Sequence, residues 1–304
     1  MNPQFSWNPI TDVEWLWSLP SVLNAYRAGL VVAVLAGIVG WFMVLRRQSF
    51  AGHSIAVTGF PGAAAAVYAG LSATLGYFGF CVGAALVIAF YTRGSGSGDT
   101  VGERAHSSAL IAVVQAFALA LGALFLQLYG GFLNSTANFL FGNFLGITST
   151  DVLVLVAVAA VVLAVMAAIG RRLLFVSIDP AVAAARGVPV RAMNALFLVL
   201  LGATVAEVSQ FTGSLLVFAL LVMPAATAQV LTAKPALGLA ISVVIGALAT
   251  WFGLAWAFFA KQGTGFTITT IAFGCYLLAL LVRALRTRRQ PAPMVPHGVL
   301  EGAS

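Results

Sequence analysis

The chain has 304 residues, of which 61% are hydrophobic and 8% are charged, and its formal net charge is +7. Because soluble domains carry about 25% charged residues, this composition excludes a soluble domain and is typical of a polytopic membrane protein. The basic residues lie in short segments between apolar runs, where they orient a chain in the membrane. The positive charge therefore does not indicate binding of nucleic acid.

The N-terminal segment, residues 1–21, is polar and aromatic, and its three tryptophans favour a membrane–water boundary. It predicts an interfacial segment on the outer side. The first membrane span is predicted over residues 22–45 and ends at Arg46 and Arg47. Since such basic pairs mark the cytoplasmic side of a span, we expect the N-terminus outside.

The second predicted span, residues 55–74, is rich in small residues and contains Gly59, Pro61 and Gly62. These three are expected to interrupt the helix. Such residues permit either close contact between helices or local unwinding, and unwound backbone at membrane depth must line a cavity or be buried in protein.

The later apolar runs are placed by their length and by the loops between them. The apolar core of 139–147 is too short to cross a hydrocarbon layer of about 30 Å, so it predicts a short outer helix. Only residues 212–214 separate the sixth run from the seventh. The third to ninth predicted spans cover residues 75–91, 107–128, 152–169, 193–211, 215–231, 236–259 and 270–285.

The distribution of charge gives the orientation. With nine spans and an outside N-terminus, all basic residues except Arg27 and Lys261 lie on or near the cytoplasmic side, which leaves thirteen of the fifteen there. Residues 93–106 are then a flexible cytoplasmic loop, and 261–269 an outer loop. We predict an all-α polytopic membrane protein with about nine transmembrane helices, an outside N-terminus and a cytoplasmic C-terminal tail, residues 286–304.

The segment 171–191 carries four of the basic residues and predicts one short helix near 179–187. Asp179 can cap the first amides, and Pro180 suits the first helical position. Gly187 fits a left-handed stop. A helix this short is marginal alone in water. It is either a rigid docking element for a soluble partner or an ordinary capped loop.

Glu207 is the only carboxylate predicted well inside a span. A carboxylate at a helix centre costs about 2.5–3.5 kcal/mol on insertion scales, so such residues usually face the interior of the bundle. Glu207 is therefore a candidate for a cation contact or a gate. The alternative is a structural role, in which a neutral Glu207 pairs with Gln210.

Two further residues are weaker candidates for the membrane pathway. The imidazole of His53 suits metals such as zinc, but it could equally lie at the membrane boundary, bonded to a loop carbonyl. Pro224, inside the seventh span, removes a helix hydrogen bond and predicts a kink. That kink could shape a pathway or serve only helix contact.

No phosphate-binding Gly-x-x-x-x-Gly-Lys-Ser/Thr pattern and no paired catalytic residues occur in the sequence. The chain is therefore not expected to be an enzyme, and any ATP used must be hydrolysed by a separate chain. Cys81 and Cys275 lie in apolar segments without metal-type spacing, and they are interpreted as buried small hydrophobic residues rather than as a disulfide.

Two blocks carry a resemblance to a known family. They are SIDPAVAAARGVPVRAMNALFLVLLGATVAEVSQFTGSLLVFALLVMPAATAQVL, residues 177–231, and LRRQSFAGHSIAVTGFPGAAAA, residues 45–66. Together with LFGNFLG, residues 140–146, they resemble the permease subunit of metal-type ABC importers, which take up zinc, manganese or iron.

The resemblance implies a permease domain over residues 22–285 in the cell (inner) membrane, with no bound cofactor and a divalent metal ion as cargo. It implies a second permease copy in a homodimer, a cytoplasmic ABC ATPase and an extracytoplasmic metal-binding protein as partners, besides the lipid bilayer. The short helix would be the coupling helix that docks on the ATPase, through Asp179, Pro180, Ala184, Arg186 and Gly187.

The sequence departs from the family pattern at one place. The family often shows an Asp and, four residues later, a His just after the Arg-Arg pair, and these are thought to contact the metal. Here His53 and Val57 occupy those positions. Because residues i and i+4 share one helical face, the chain keeps at most one ligand there.

Two other functions remain open from the sequence. A secondary cation transporter would use Glu207 for proton coupling, although the chain shows no clear repeat or pair of interrupted helices. A membrane scaffold that transports nothing is the other, and it predicts that metal supply has no effect on any phenotype.

Overall fold

The computed structural model describes residues 19–91, 101–129, 142, 146–260 and 262–288, and its described elements are all helices. The predictions made for residues 1–18, 92–100, Lys261, the tail beyond 288 and most of 139–147 lie outside the described residues. The helices are α1 Pro20–Leu45, α2 Ser49–Tyr68, α3 Ala73–Tyr91, α4 Val101–Tyr129, α5 Ser149–Ile178, α6 Pro180–Ala185, α7 Val190–Leu231, α8 Pro235–Ala260 and α9 Thr264–Arg288.

Seven helical segments of the described chain are long and apolar enough to cross a membrane. They are α1, α2, α3, α5, residues 190–214 of α7, α8 and α9. Two shorter apolar segments, residues 109–125 of α4 and 216–231 of α7, accompany them. The chain is a polytopic all-α membrane protein, as its composition predicts.

α2 is a continuous helix with Pro61 inside it, so the predicted interruption is wrong. Its glycines serve close helix contact instead. A Cβ at Gly62 would overlap the carbonyl oxygen of Gly76 in α3, and a Cβ at Gly59 would lie 3.0 Å from the Tyr77 ring. Small residues let two backbones approach closely in a membrane, which is why this glycine pattern persists in an unbroken helix.

Several helices extend past their predicted bounds. α2 begins at Ser49 and α4 at Val101, each six residues before its predicted start, so residues 101–106 are helical and not part of a loop. α5 continues to Ile178, nine residues beyond the end of its apolar run, because arginines with long apolar stems can continue a helix at a membrane boundary. α9 begins at Thr264, six residues before its predicted start. Residues 264–269 of the predicted outer loop are therefore helical.

α7 is a run of 42 residues whose one non-helical residue is Gly213, with φ 76° and ψ 155°. A straight helix of that length would extend about 63 Å. Its two ends instead contact the same end of α1: Asn194 accepts a hydrogen bond from Arg46, and Gln229 Nε2 donates to the Trp41 carbonyl at 3.0 Å. The chain therefore reverses direction at Gly213, within the predicted break.

The main core lies where α1 and both halves of α7 meet. Leu35, Val39, Phe197, Leu201 and Leu221 are at most 1% exposed there. A second, small cluster of buried side chains lies apart from this core, beside α6, and consists of Val176, Ala183 and Met193. We call the end of the bundle that carries Arg46 and α6 the Arg46 end.

Candidate functional site

The six-residue helix α6 has complete start and stop signals, as the sequence predicts. The side chain of Asp179 accepts a hydrogen bond from the amide of Val182 at 2.9 Å, and Pro180 occupies the first helical turn. At the other end, the amide of Val188 donates to the Ala183 carbonyl at 3.0 Å, and Gly187 has φ 78°. These local bonds hold α6 as a rigid unit, although its length alone would not.

One face of α6 is anchored and the other is free. Ala183 is fully buried against Val176 and Met193. The rest of its surface lies open: Ala181, Ala184 and Ala185 are exposed, and Val182 is 44% exposed. Of the residues predicted to dock a partner, Ala184, Arg186 and Gly187 are exposed, and Asp179 and Pro180 are partly buried. An exposed apolar face on a rigid, capped helix suits contact with another protein.

Glu207 lies in the first half of α7, and none of its surface is exposed. One carboxylate oxygen, Oε2, accepts a hydrogen bond from Gln210 Nε2 at 3.4 Å. The other, Oε1, has no hydrogen-bond partner among the described residues. Thr74 of α3 donates to Gln210 Oε1 at 2.7 Å. Glu207 therefore belongs to a small polar group between α3 and α7 that leaves one oxygen open.

His53 lies one turn into α2, close to the Arg46 end. Its ring meets the Phe218 ring edge-on, with 4.8 Å between centroids. Its Nδ1 is buried and has no hydrogen-bond partner among the described residues. Val57 is 7% exposed one turn further along α2. An imidazole nitrogen without a partner keeps a lone pair that a metal ion can use, whereas Val57 offers none.

The described residues contain no group of three or more His, Cys, Asp or Glu side chains that could hold a metal ion. The two candidates stand apart: His53 contacts the returning half of α7, and Glu207 is joined to the first turn of α3 at the opposite end of the bundle.

The kink predicted at Pro224 stays a prediction. Pro224 lies inside the returning half of α7, and the non-helical dihedral angles of α7 are at Gly213. Three turns of helix separate the two residues. Close to Pro224, the Thr227 hydroxyl donates to the Met223 carbonyl at 2.7 Å.

Two contacts of α7 were not predicted from the sequence. Sequence analysis did not place Thr74, because a hydrogen bond between α3 and α7 leaves no mark in either helical pattern. It also gave no role to Gly142, whose φ is 74° and whose Cβ, if present, would overlap the backbone of Thr212 and Gly213. The LFGNFLG block was the available signal, since it places a glycine in a short apolar run.

The model of the ABC 3 transport family matches residues 18–283 of this chain. The chain belongs to that family. This membership confirms the resemblance to the permease subunit of metal-type ABC importers, and it covers all the described helices up to the last turn of α9.

Curated relatives within the family match over most of their length. The manganese transport system membrane protein MntC of Listeria monocytogenes is 27% identical over 269 residues, which are 88% of this chain and 93% of that protein. The manganese import system permease protein ScaB of Streptococcus gordonii is 29% identical over 262 residues, covering 85% of this chain and 90% of that protein.

Two solved structures share the family architecture. PsaBC from Streptococcus pneumoniae, solved in complex with Fab, aligns with a TM-score of 0.78 and 28% identity over 92% of this chain and 99% of that chain. An inward-facing putative metal-chelate type ABC transporter aligns with a TM-score of 0.65 over 93% of this chain and 90% of that chain. At 20% identity, the second supports the fold alone.

Proposed function

We propose that this chain is the permease subunit of an ATP-driven importer of divalent metal ions, with manganese as the first cargo to test. It would work as a homodimer with a cytoplasmic ABC ATPase, and an extracytoplasmic binding protein would deliver the metal. The exposed face of α6 carries this proposal. α6 is a short capped helix between two long apolar helices in a chain of the ABC 3 transport family, and the sequence offers no ATP-binding motif of its own.

Manganese is preferred because MntC and ScaB are manganese transport proteins by name. The chemistry of the interior agrees with a hard or borderline divalent cation. The open Oε1 of Glu207 is the kind of oxygen ligand that suits Mn²⁺, and imidazole suits several divalent metals. We infer that Glu207 and His53 contact the ion in turn as it crosses the membrane.

We further propose that the chain crosses the inner membrane nine times, with its N-terminus outside and its C-terminus in the cytoplasm. The reversal of α7 at Gly213 supports counting its two halves as separate spans, and α4 supplies another apolar segment. Basic residues supply the orientation, because α6, Arg46 and Lys234 then face the cytoplasm.

The first test reconstitutes the chain with a candidate ABC ATPase and a candidate metal-binding protein, and measures Mn²⁺ uptake and ATP hydrolysis in vesicles. Wild-type protein should take up Mn²⁺ only with ATP. Ala184→Asp places a charge on the exposed face of α6, where docking would desolvate it without a partner. We expect it to lower ATPase co-purification and uptake by at least tenfold, without loss of expression.

Ala233→Asp is the matched control. Ala233 is also exposed and lies in the turn between α7 and α8 at the Arg46 end, near the contact of Gln229 with Trp41. It should behave as wild type. Uptake driven by a proton gradient without ATP would support a secondary transporter instead. Normal coupling in Ala184→Asp would remove the docking role of α6.

A further inference from the structure

The strongest unassigned feature of the structure is the environment of Arg46, the residue that follows α1. In the sequence it is one of two arginines that mark the membrane boundary. In the structure its neighbour Arg47 is exposed, whereas Arg46 is partly buried. Burial lowers the pKa of Arg46 from 12.5 to about 10, so the guanidinium stays charged near neutral pH. A boundary marker alone does not require such burial.

The guanidinium of Arg46 bridges the two helices that flank α6. Nη1 donates to Ser177 Oγ at 2.9 Å, in the last turn of α5. Nη2 donates to Asn194 Oδ1, in the first turns of α7. The head group also lies 5.1 Å from the centroid of the Phe197 ring, a cation–π contact. One planar fork with several fixed donors can hold both partners at once, which a lysine ammonium does poorly.

α6 is joined to those same two helices through short connections and through packing. Asp179 is both the C-cap of α5 and the N-cap of α6, and Ala183 of α6 packs against Val176 of α5 and Met193 of α7. Its buried side chain, Ala183, belongs to the small cluster apart from the main core. A displacement of α6 is therefore expected to move the end of α5 and the start of α7. Ser177 and Asn194 lie in those two places, and both accept hydrogen bonds from Arg46.

The backbone of Arg46 leads directly into α2. Only residues 46–48 separate α1 from α2, and the turn is closed by the amide of Gln48, which donates to the Met43 carbonyl at 3.0 Å. Arg46 Nε also donates to Gln48 Oε1 at 3.5 Å. His53 follows one turn into α2. Arg46 thus joins α6 to the helix that carries a candidate metal ligand.

We propose that Arg46 is a positioning residue for transport, a strap that carries movement of α6 to the α1–α2 turn. It acts through Ser177 and Asn194 on one side and through the start of α2 on the other. The role of Arg46 in transport rests on the proposed function. The structural link that Arg46 makes between α5, α7 and the α1–α2 turn does not depend on that function. Replacing the fork should loosen α6 from α2 while leaving the docking face of α6 intact.

The test compares Arg46→Lys with Arg47→Lys. Both variants keep the positive charge and hence the orientation of the chain in the membrane. Only Arg46→Lys removes the guanidinium that bridges Ser177 and Asn194. The mechanical measurement is hydrogen exchange of the amides of residues 179–194 in the purified full chain. We expect exchange there to rise on the order of fivefold in Arg46→Lys, within the range that coupling mutations produce. Ser177→Ala and Asn194→Ala should each give part of that rise, and Arg47→Lys none.

The transport measurement is Mn²⁺ taken up per ATP hydrolysed with the ATPase and binding protein present. Arg46→Lys should keep ATPase co-purification and hydrolysis but lower this ratio roughly fivefold. Unchanged exchange at 179–194 would overturn the strap, as would exchange that rises throughout the protein together with a lower Tm, because that pattern marks a general structural role. If hydrogen exchange at residues 179–194 rises but the ratio of Mn²⁺ taken up to ATP hydrolysed is unchanged, Arg46 does not carry movement from α6 to the transport pathway.

The two failures are distinguishable. If wild-type protein shows no ATP-driven uptake of Mn²⁺, the proposed function fails, and the exchange measurement alone then supports or overturns the strap.

Discussion

Glu207 is a carboxylate buried inside a membrane span. None of its surface is exposed, and its one described hydrogen bond is to a neutral amide. Since a carboxylate inside a span is costly, we predict a role in ion transfer. Glu207→Gln keeps the shape but removes the charge, and Mn²⁺ uptake should fall about tenfold, which corresponds to about 1.4 kcal/mol. Glu207→Ala should lower Mn²⁺ uptake at least as much. Uptake is measured in reconstituted vesicles at matched protein level.

Ser209→Ala is the control for this change, because the Ser209 hydroxyl is also fully buried and lacks a partner among the described residues. It removes a polar group from the same stretch of α7 without removing a charge. It should transport normally. Normal transport by both Glu207 variants would leave Glu207 a structural residue.

At the residue scale, sequence identified candidates but not their surroundings. Glu207 was found because a carboxylate stands out within an apolar run. Arg46 was recognised only as a charge at a boundary, because its partners Ser177 and Asn194 are more than 130 residues further along the chain. Hydrogen bonds of that separation depend on how helices pack, which no local pattern records.

At the scale of elements, the reversal of α7 depends on Gly213. Its φ of 76° and ψ of 155° lie in a region that only glycine occupies readily. Gly213→Ala should therefore destabilise the protein by about 1–3 kcal/mol, seen as a lower Tm of the purified chain in detergent.

Gly274→Ala is the matched control for Gly213, because Gly274 lies within α9 and nothing stands within 4 Å of where its Cβ would be. Its Tm should stay at or slightly above the wild-type value, since Ala is the better helix former. Equal Tm values for Gly213→Ala and the wild type would show that the reversal does not need glycine.

Elements were predictable where their signals are local. α6 followed from a capping Asp, a Pro and a terminal Gly within nine residues. The interruption of α2 was wrong because Gly and Pro fit either unwinding or close contact, and only the approach of α3 decides between them. The ends of α5 and α9 were misplaced because helical backbone continues past the apolar run that reveals it.

For the whole molecule, hydropathy and family membership agree on a polytopic bundle, but orientation rests on charge alone. Two exposed turns can report it. Ser72 lies between α2 and α3, and Ala233 lies between α7 and α8. α2 begins at the Arg46 end and has 20 residues, or about 30 Å of helix. The two turns are therefore at opposite ends of the bundle.

Cysteine labelling at these turns tests the orientation. In a Cys81→Ala, Cys275→Ala background, Ser72→Cys should react with a membrane-impermeant maleimide in intact cells. Ala233→Cys should react only after permeabilisation, because thirteen of the fifteen basic residues then face the cytoplasm. Ser97→Cys, outside the described residues, should behave like Ala233→Cys. The reverse pattern would invert the chain and place α6 beyond reach of a cytoplasmic ATPase. Labelling of Ser72→Cys and Ala233→Cys from one side would contradict the bundle itself.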